Sequence, residues 1–271
     1  MFFAARPAMR TPYLLTAALA ALMAVQSALG VLFQGQYRDP EWIRAAWCGN
    51  DWVTLVVAVP LLLVALVLAS IGSPRGLLLW LGMLGYAVYN YAYYLFGATL
   101  NVFFALYVVA LPLAVVVLIL SVSRIDVAVV AANFRSSTPV RMIGGYLAFV
   151  GIGLGSVWLI MWGAYAFAGR PTPIEPEVFK LVAALDISIM ATALTFGGVL
   201  LWRRNAWGYV LAAIAGIQAS LYLVVLSVNS SVAIHRGLME APGELLVWGT
   251  LTALTTTVTS LLLTNAQTSR A

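Results

Sequence analysis

One acidic residue, Asp186, lies inside a stretch of the chain that is otherwise apolar and long enough to cross a lipid bilayer. A carboxylate in that setting costs at least about 2.5 kcal/mol, so it normally faces a bundle interior or cavity and has a partner. Ala183, Ala193 and Gly197 share its helical face, and small residues permit close helix packing. We therefore expect Asp186 to point inward, as the only acidic residue within the apolar part of the chain and the centre of a functional site.

Other polar side chains fall within apolar stretches at depths compatible with that of Asp186. The first stretch carries a glutamine, the seventh another, and the third carries an asparagine beside several tyrosines, whose hydroxyls can donate to a buried carboxylate. Asp51 begins the second stretch at the same surface. Together they predict a polar, aromatic-lined pocket that opens to the outer face, with Asp186 near its floor. The predicted binding residues are Asp186, Asn90, Tyr86, Tyr93, Tyr94, Gln26, Gln218, Tyr222 and Asp51.

The elements that must position these side chains are membrane helices. Of 271 residues, 63% are hydrophobic and 8% are charged, and the mean hydropathy is +1.00. Charged residues make up about a quarter of an ordinary soluble domain. The composition therefore predicts an all-α, polytopic transmembrane helix bundle, with residues 1–271 forming a single integral domain in the lipid bilayer. About eight spans are expected, at approximately 13–33, 52–72, 77–97, 102–123, 144–168, 181–202, 207–228 and 245–264.

Residues 34–51 are polar and are expected to form an outer loop. Asp39, Pro40 and Glu41 form a helix-start signal. The apolar side chains at 42, 43, 46 and 47 would then share one face. The loop is therefore predicted to contain a short helix that lies on the membrane surface.

Two similar turns raise the question of an internal repeat. The second and sixth spans each lead into a short basic turn, SPRG at 73–76 and RRNA at 203–206, followed by a helix that bears Trp and Tyr. This similarity suggests a four-plus-four repeat, although loop lengths elsewhere do not match.

The basic residues predict the orientation of the bundle. With eight spans, nine basic residues lie on one side and five on the other, so the positive-inside rule places both termini in the cytoplasm. The nine are Arg6, Arg10, Arg75, Arg124, Arg135, Arg141, Arg203, Arg204 and Arg270, and the five are Arg38, Arg44, Arg170, Lys180 and Arg236.

The sequence lacks the residues that several classes of function require. The basic residues flank helices and form no patch interleaved with aromatics, so no nucleic-acid partner is predicted. Cys48 and His235 are the only cysteine and histidine, which excludes paired-histidine zinc motifs and bis-histidine haem within one chain. Neither a P-loop nor a GxSxG motif is present. We predict no metal site and no cofactor, and the residues do not favour an enzyme.

Three strings carry a resemblance to a known family: GNDWVTL at 49–55, GSPRG at 72–76 and YNYAYYLFG at 89–97, followed by Asn101 and Tyr107. They resemble an uncharacterised family of bacterial multipass inner-membrane proteins, from about residue 49 through the seventh span. The resemblance implies a bacterial inner membrane. It implies no activity and assigns no role to any residue.

Three functions remain open. The first is transport or binding of a small molecule through the outward pocket, with Asp186 responding to a proton or a cation. The second is a membrane-embedded enzyme acting on a lipid or isoprenoid, with Asp186 as acid or base. The third is a scaffold or accessory subunit, in which the polar groups only join helices through hydrogen bonds worth about 0.6–2 kcal/mol each. We favour the first, with a small-molecule or lipid ligand; the sequence indicates neither an oligomer nor a partner subunit.

Overall fold

The computed structural model describes residues 9–239 and 242–267 as a bundle of helices joined mostly by short connections. Arg6 and Arg270, two of the basic residues that predict the orientation, lie outside the described residues. The helices are α1 (Arg10–Leu32), α2 (Glu41–Ser70), α3 (Pro74–Gly97), α4 (Phe104–Val122), α5 (Val127–Ala132), α6 (Val140–Ala168), α7 (Pro176–Trp202), α8 (Ala206–His235) and α9 (Gly243–Thr264). Seven of them are long and apolar enough to cross a membrane; α3 and the short α5 are the exceptions.

Helix α3 is long but less apolar because it carries five tyrosines and Asn90. It packs against α2, α4 and α8, and 17 of its 24 residues are buried. Its start is set locally, since the Ser73 hydroxyl accepts a hydrogen bond from the Gly76 N–H at 3.2 Å and Pro74 occupies the first helical position. A helix enclosed by other helices needs little lipid-facing surface, so its polar side chains can serve the interior.

Two helices are longer than the spans predicted within them. Helix α2 begins at Glu41 and continues without a break to Ser70, so residues 41–47 do not form the separate surface helix that was expected. The polar residues at 48–51 do not end the helix, since they are buried and α2 packs against α1 and α8. Helix α8 likewise extends beyond the predicted span of 207–228, as far as His235.

Helices α2 and α7 each contain a π-helical turn, Thr54–Ala58 and Asp186–Ala191. Pro60 follows the first turn by two residues. Proline cannot donate a helical hydrogen bond and its ring clashes with the carbonyl four residues earlier, so a wider turn before it relieves both problems. In α7, the Thr192 hydroxyl donates to the carbonyl of Ile187 at 2.8 Å and satisfies a carbonyl in the widened segment.

Three successive helices of the first half of the chain recur in the second half at a spacing of 132 residues. That spacing separates the ends of α2 and α7, the starts of α3 and α8, and the starts of the two π turns. The corresponding pairs are Ser70 and Trp202, Pro74 and Ala206, and Thr54 and Asp186. At the same spacing, α1 falls within α6. Residues 10–97 and 142–229 are therefore two structural repeats, although few of the paired residues are identical.

The connecting turns of the two repeats also match. Gly72 and Arg204, which are 132 residues apart, both have positive φ values, 87° and 56°. The next residues, Ser73 and Asn205, each accept a hydrogen bond from a backbone N–H in the first turn of the following helix. The similar basic turns in the sequence thus reflect one backbone conformation.

The two repeats meet where α3 packs against α8. A Cβ atom on Gly82 would lie 2.5 Å from the side chain of Ile217, and one on Gly85 would lie 2.9 Å from that of Ile214. At the 132-residue spacing, Gly82 corresponds to Ile214 and Gly85 to Ile217, so the two contacts are equivalent and a pseudo-two-fold axis passes between them. The same reciprocity joins Gly49 with Asn229 and Leu181 with Gly97. We call this α3–α8 contact and its flanking pairs the seam.

One end of the bundle gathers the α2–α3 turn, the α5–α6 connection and the end of α9. The Arg75 guanidinium donates to the carbonyls of Ala266 at 3.0 Å and Thr264 at 2.9 Å. The backbone N–H of Arg135 donates to the carbonyl of Asn265 at 3.1 Å. These segments therefore lie on the same side of the bundle, and the last turn of α3 lies at the other.

Candidate functional site

Asp51 is a fully buried carboxylate within α2, at 0% exposure. The hydroxyl groups of Tyr37 and Tyr94 donate to its two oxygens, each at 2.7 Å, and the amide of Gln26 donates at 3.0 Å. These donors come from three elements, the segment before α2, α3 and α1. The expectation that Asp186 is the only acidic residue within the apolar part is wrong, because Asp51 lies ten residues inside α2 rather than at its start.

The surroundings of Asp51 hold its donors in place. The hydroxyl of Tyr91 donates to the Gln26 carbonyl oxygen at 3.2 Å, which leaves the amide nitrogen facing Asp51. Gly30 is required by space, since a Cβ there would overlap the Asp51 carboxylate. Burial and the neighbouring carboxylate raise the pKa of Tyr37, so this phenol stays protonated and donates. We call Asp51, Gln26, Tyr37, Tyr91 and Tyr94 the Asp51 cluster.

Asp186 is also buried, at 3% exposure, and is the first residue of the π turn in α7. The Tyr89 hydroxyl donates to its Oδ1 at 2.5 Å, and the indole N–H of Trp158 donates to its Oδ2 at 2.9 Å. The ring of Tyr222 meets that of Tyr89 edge to face, with an angle of 67° and 4.9 Å between centroids. Tyr89 belongs to the first repeat and Asp186 to the second, so their hydrogen bond crosses between the repeats. These four residues form the Asp186 cluster.

The two clusters are related but not equivalent. Gln26 and Trp158 are 132 residues apart, and each donates to an aspartate on the next long helix. Asp186 itself corresponds to Thr54, so the Asp51 carboxylate lies three residues earlier in its repeat. Asp51 accepts three hydrogen bonds from side chains and Asp186 accepts two. Similar helices thus carry two carboxylates, of which Asp51 accepts more hydrogen bonds than Asp186.

The nine predicted side chains do not converge on a single pocket. Asp51, Gln26 and Tyr94 belong to the first cluster, and Asp186 and Tyr222 belong to the second. Of the remaining four, Tyr86 and Asn90 contact the Thr54 hydroxyl at 3.2 and 3.5 Å. The side-chain oxygen of Gln218 lies beside Gly85 at the seam. Tyr93 packs on Trp47.

Sequence reasoning missed both donors to Asp186. Tyr89 shares a face of α3 with Tyr86 and Tyr93, at spacings of three and four residues, so the helical period was a usable signal. Trp158 lies well inside α6, whereas membrane tryptophans concentrate at the two interfaces. A tryptophan inside a span needs a partner for its N–H, and that signal was also present.

A cleft of about 350 Å³ opens at the end of the bundle opposite Arg75. It lies between the first turns of α2 and α7 and the last turn of α3, and we call it the Trp47 cleft after one of its lining residues. Tyr93 and Leu181 also line it. Tyr89 lies four residues before Tyr93 on α3, and Asp186 lies five residues after Leu181 on α7. Both are therefore about one helical turn deeper in the bundle than the cleft.

These features define a class of protein: a helical membrane protein with buried carboxylates at and near the junction of two repeats. No protein-family model, curated protein or solved structure matches the chain. Within residues 9–239 and 242–267, no group of three His, Cys, Asp or Glu side chains is placed to hold a metal ion.

Proposed function

We propose that the protein binds and transports a small molecule across the membrane, with Asp186 as its ionisable group and the Trp47 cleft as its outer entrance. The observation that carries the proposal is the hydrogen bond between Tyr89 and Asp186, which joins the two repeats beside a π turn. Transporters built from repeats commonly bind their substrates at the repeat interface, and π turns within α-helices are frequent at functional sites. An ionisable group inside a membrane helix is costly and is by default functional.

The difference between the two carboxylates supports this assignment. Asp51 accepts hydrogen bonds from three donors and packs directly against Gly30, an arrangement suited to a permanent structural role. Asp186 has two donors and lies about one turn below an open cleft. A change in the protonation of Asp186 would affect both repeats, since Asp186 lies in the second repeat and its donor Tyr89 lies in the first.

The proposal includes eight crossings of a bacterial inner membrane, with both termini in the cytoplasm. Helix α3 has 24 residues, about 36 Å at 1.5 Å per residue, which is sufficient for a span. Its enclosure by α2, α4 and α8 supports a crossing despite its polar residues. The basic turns at 73–76 and 203–206 support a cytoplasmic position for the end that holds Arg75.

Uptake into liposomes tests the proposal. The purified protein is reconstituted, incubated with a mixture of water-soluble metabolites, and the liposome contents are identified by mass spectrometry. We expect at least one solute to accumulate, and we expect the accumulation to be lost in Asp186→Asn. Glu244→Gln is the matched control, since it removes an exposed carboxylate from α9. Both variants are checked for folding by size-exclusion chromatography.

Two results would contradict the proposal. Accumulation that is unchanged in a folded Asp186→Asn protein would place the ionisable group elsewhere. Absence of any accumulated solute, together with conversion of an added lipid extract, would favour the enzyme reading.

A further inference from the structure

Three arginines and a tryptophan meet where α6 begins and α7 ends, at the end of the bundle that holds Arg75. Arg141 lies in the first turn of α6, and Arg203 and Arg204 directly follow Trp202, the last residue of α7. All three arginines are exposed, and so is 51% of the Trp202 surface. We call these four residues the arginine corner.

The two helices of the arginine corner are in backbone contact, which keeps its arginines close together. A Cβ atom on Gly144 would lie 2.7 Å from the backbone nitrogen of Trp202, and one on Gly145 would lie 2.7 Å from the Trp202 ring. Arg141 precedes these glycines by three and four residues, so it shares their face of α6. Arg203 is the next residue after Trp202. The two guanidinium groups therefore extend from either side of the α6–α7 contact, beside the exposed indole.

The positive charge of the arginine corner is not balanced by a carboxylate in the described part of the chain. The one ion pair among the described residues joins Lys180 and Glu177, which line the Trp47 cleft at the opposite end. Asp126 is the single acidic residue in the described segments at the arginine end. Its carboxylate caps α5 by accepting from the backbone N–H groups of Ala128 at 3.0 Å and Val129 at 3.2 Å. An anion can therefore bind at the corner without displacing an internal acidic partner.

The corresponding corner of the first repeat shows that the fold does not require these charges. At the 132-residue spacing, Arg141 corresponds to Met9 and Arg203 to Ile71. Met9 is 1% exposed and packs into the core, and Arg10 is the only arginine in the first turn of α1 or the last turn of α2. A general preference for basic residues at this end of the bundle does not explain a cluster in one repeat alone.

Apolar surface continues from the arginine corner along the same two helices. Phe149 on α6 is 76% exposed, and Val199 on α7 is 37% exposed. They lie four residues beyond Gly145 and three residues before Trp202, so they follow the helix faces that form the corner. Tryptophan itself favours the depth of the lipid headgroups. A ligand that matches this surface has an anionic head and apolar chains, whereas a soluble anion would contact only the arginines.

We propose that the arginine corner binds one anionic phospholipid. Its phosphate accepts hydrogen bonds from Arg141 and Arg203, since planar guanidinium groups match the geometry of phosphate oxygens. Its acyl chains lie along the surface that includes Phe149 and Val199. Basic sites between membrane helices hold anionic headgroups in this way. The proposal is independent of transport, because the corner lies at the end of the bundle opposite the Trp47 cleft.

Lipid selectivity tests the assignment directly. The full-length protein is purified in a nonionic detergent, and phosphatidylglycerol or phosphatidylcholine with the same acyl chains is added. Native mass spectrometry measures how much of the protein retains a lipid, and thermal unfolding measures the stabilisation. Both lipids carry a phosphate, but only phosphatidylglycerol has a net negative charge. We expect phosphatidylglycerol to bind about ten-fold more tightly, because its phosphate has no positive group of its own to compete with the guanidinium groups.

Variants of the arginines locate the site. Arg141→Gln and Arg203→Gln each remove one guanidinium group from an exposed position, and size-exclusion chromatography checks their folding. Each is expected to weaken binding of phosphatidylglycerol about ten-fold and to leave that of phosphatidylcholine unchanged. Arg10→Gln is the matched control, since it removes an exposed arginine at the corresponding corner of the first repeat. It should bind phosphatidylglycerol like the unmodified protein.

Four results would overturn the assignment. Equal affinity for the two lipids would remove the selectivity, and unchanged binding in both corner variants would place the lipid elsewhere. An equal loss in Arg10→Gln would show that the charge of the whole end, rather than a site, attracts the lipid. Displacement of phosphatidylglycerol by an equal concentration of soluble glycerol 3-phosphate would identify a site for a free phosphate ester instead of a lipid.

Discussion

Removing the Asp51 carboxylate should destabilise the protein strongly. In Asp51→Ala, the amide of Gln26 and the hydroxyls of Tyr37 and Tyr94 lose their acceptor inside the bundle. A buried donor left without a partner costs about 1–3 kcal/mol, so three of them should cost at least about 3 kcal/mol of unfolding free energy. Tyr37→Phe removes a single donor and leaves the carboxylate with two, so its cost should be no more than half as large.

The only cysteine provides the readout for that experiment. Cys48 lies one turn before Asp51 on α2 and is 5% exposed, so its reaction with a fluorogenic maleimide reports opening of this helix. Unfolding is followed during a denaturant titration in mixed micelles and yields free energies for each variant. Glu244→Ala, which removes an exposed carboxylate, should match the unmodified protein. The reasoning is refuted if the unfolding free energy of Asp51→Ala lies within about 1 kcal/mol of that of the unmodified protein, since three orphaned donors should together cost at least about 3 kcal/mol.

Three further outcomes follow from the packing, the second cluster and the topology. Gly82→Ala should lower the unfolding temperature, because its Cβ would lie 2.5 Å from a side chain of α8, whereas Gly153→Ala, which meets open space, should not; equal behaviour would contradict a tight seam. Trp158→Phe should cost about 1 kcal/mol in the same unfolding assay through loss of the N–H donated to Asp186, and an unchanged value would show that this bond stabilises nothing. A reporter enzyme fused after Gln267 should be active in the cytoplasm, and periplasmic activity would overturn the proposed orientation.

Much of the helical architecture could be predicted from local sequence. Apolar stretches of bilayer length predict helices, because an unpaired backbone group is too costly in lipid. Residues that begin helices were informative as well, since α2 starts directly after Asp39 and Pro40. The continuity of α2 before residue 52 was not predicted, because the polarity of residues 48–51 indicated exposure. Cys48 to Asp51 are polar or small yet buried, and only the neighbouring α1 and α8 explain why.

The two repeats share a structure although their sequences are little alike. Their basic turns were visible, but the correspondence of α1 to α3 with α6 to α8 emerged only from the helix ends and π turns. Packing against a partner helix constrains size and shape rather than identity, which is why Gly82 can correspond to Ile214 across the seam. A small residue in one repeat accommodates a large one in the other.

The sequence by itself determined that this chain forms membrane helices and that Asp186 must be housed among them, because both conclusions depend on local composition and on the cost of polar groups in lipid. Only the tertiary structure decided which partners the carboxylates have. Tyr89 and Asp186 are 97 residues apart, and the tyrosines of α3 are indistinguishable until the neighbouring helices are placed. A hydrogen bond requires atoms within about 3 Å and a suitable angle. Helical periodicity gives the face of a residue, whereas the rotation and depth of each helix against its neighbours select the pair that meets.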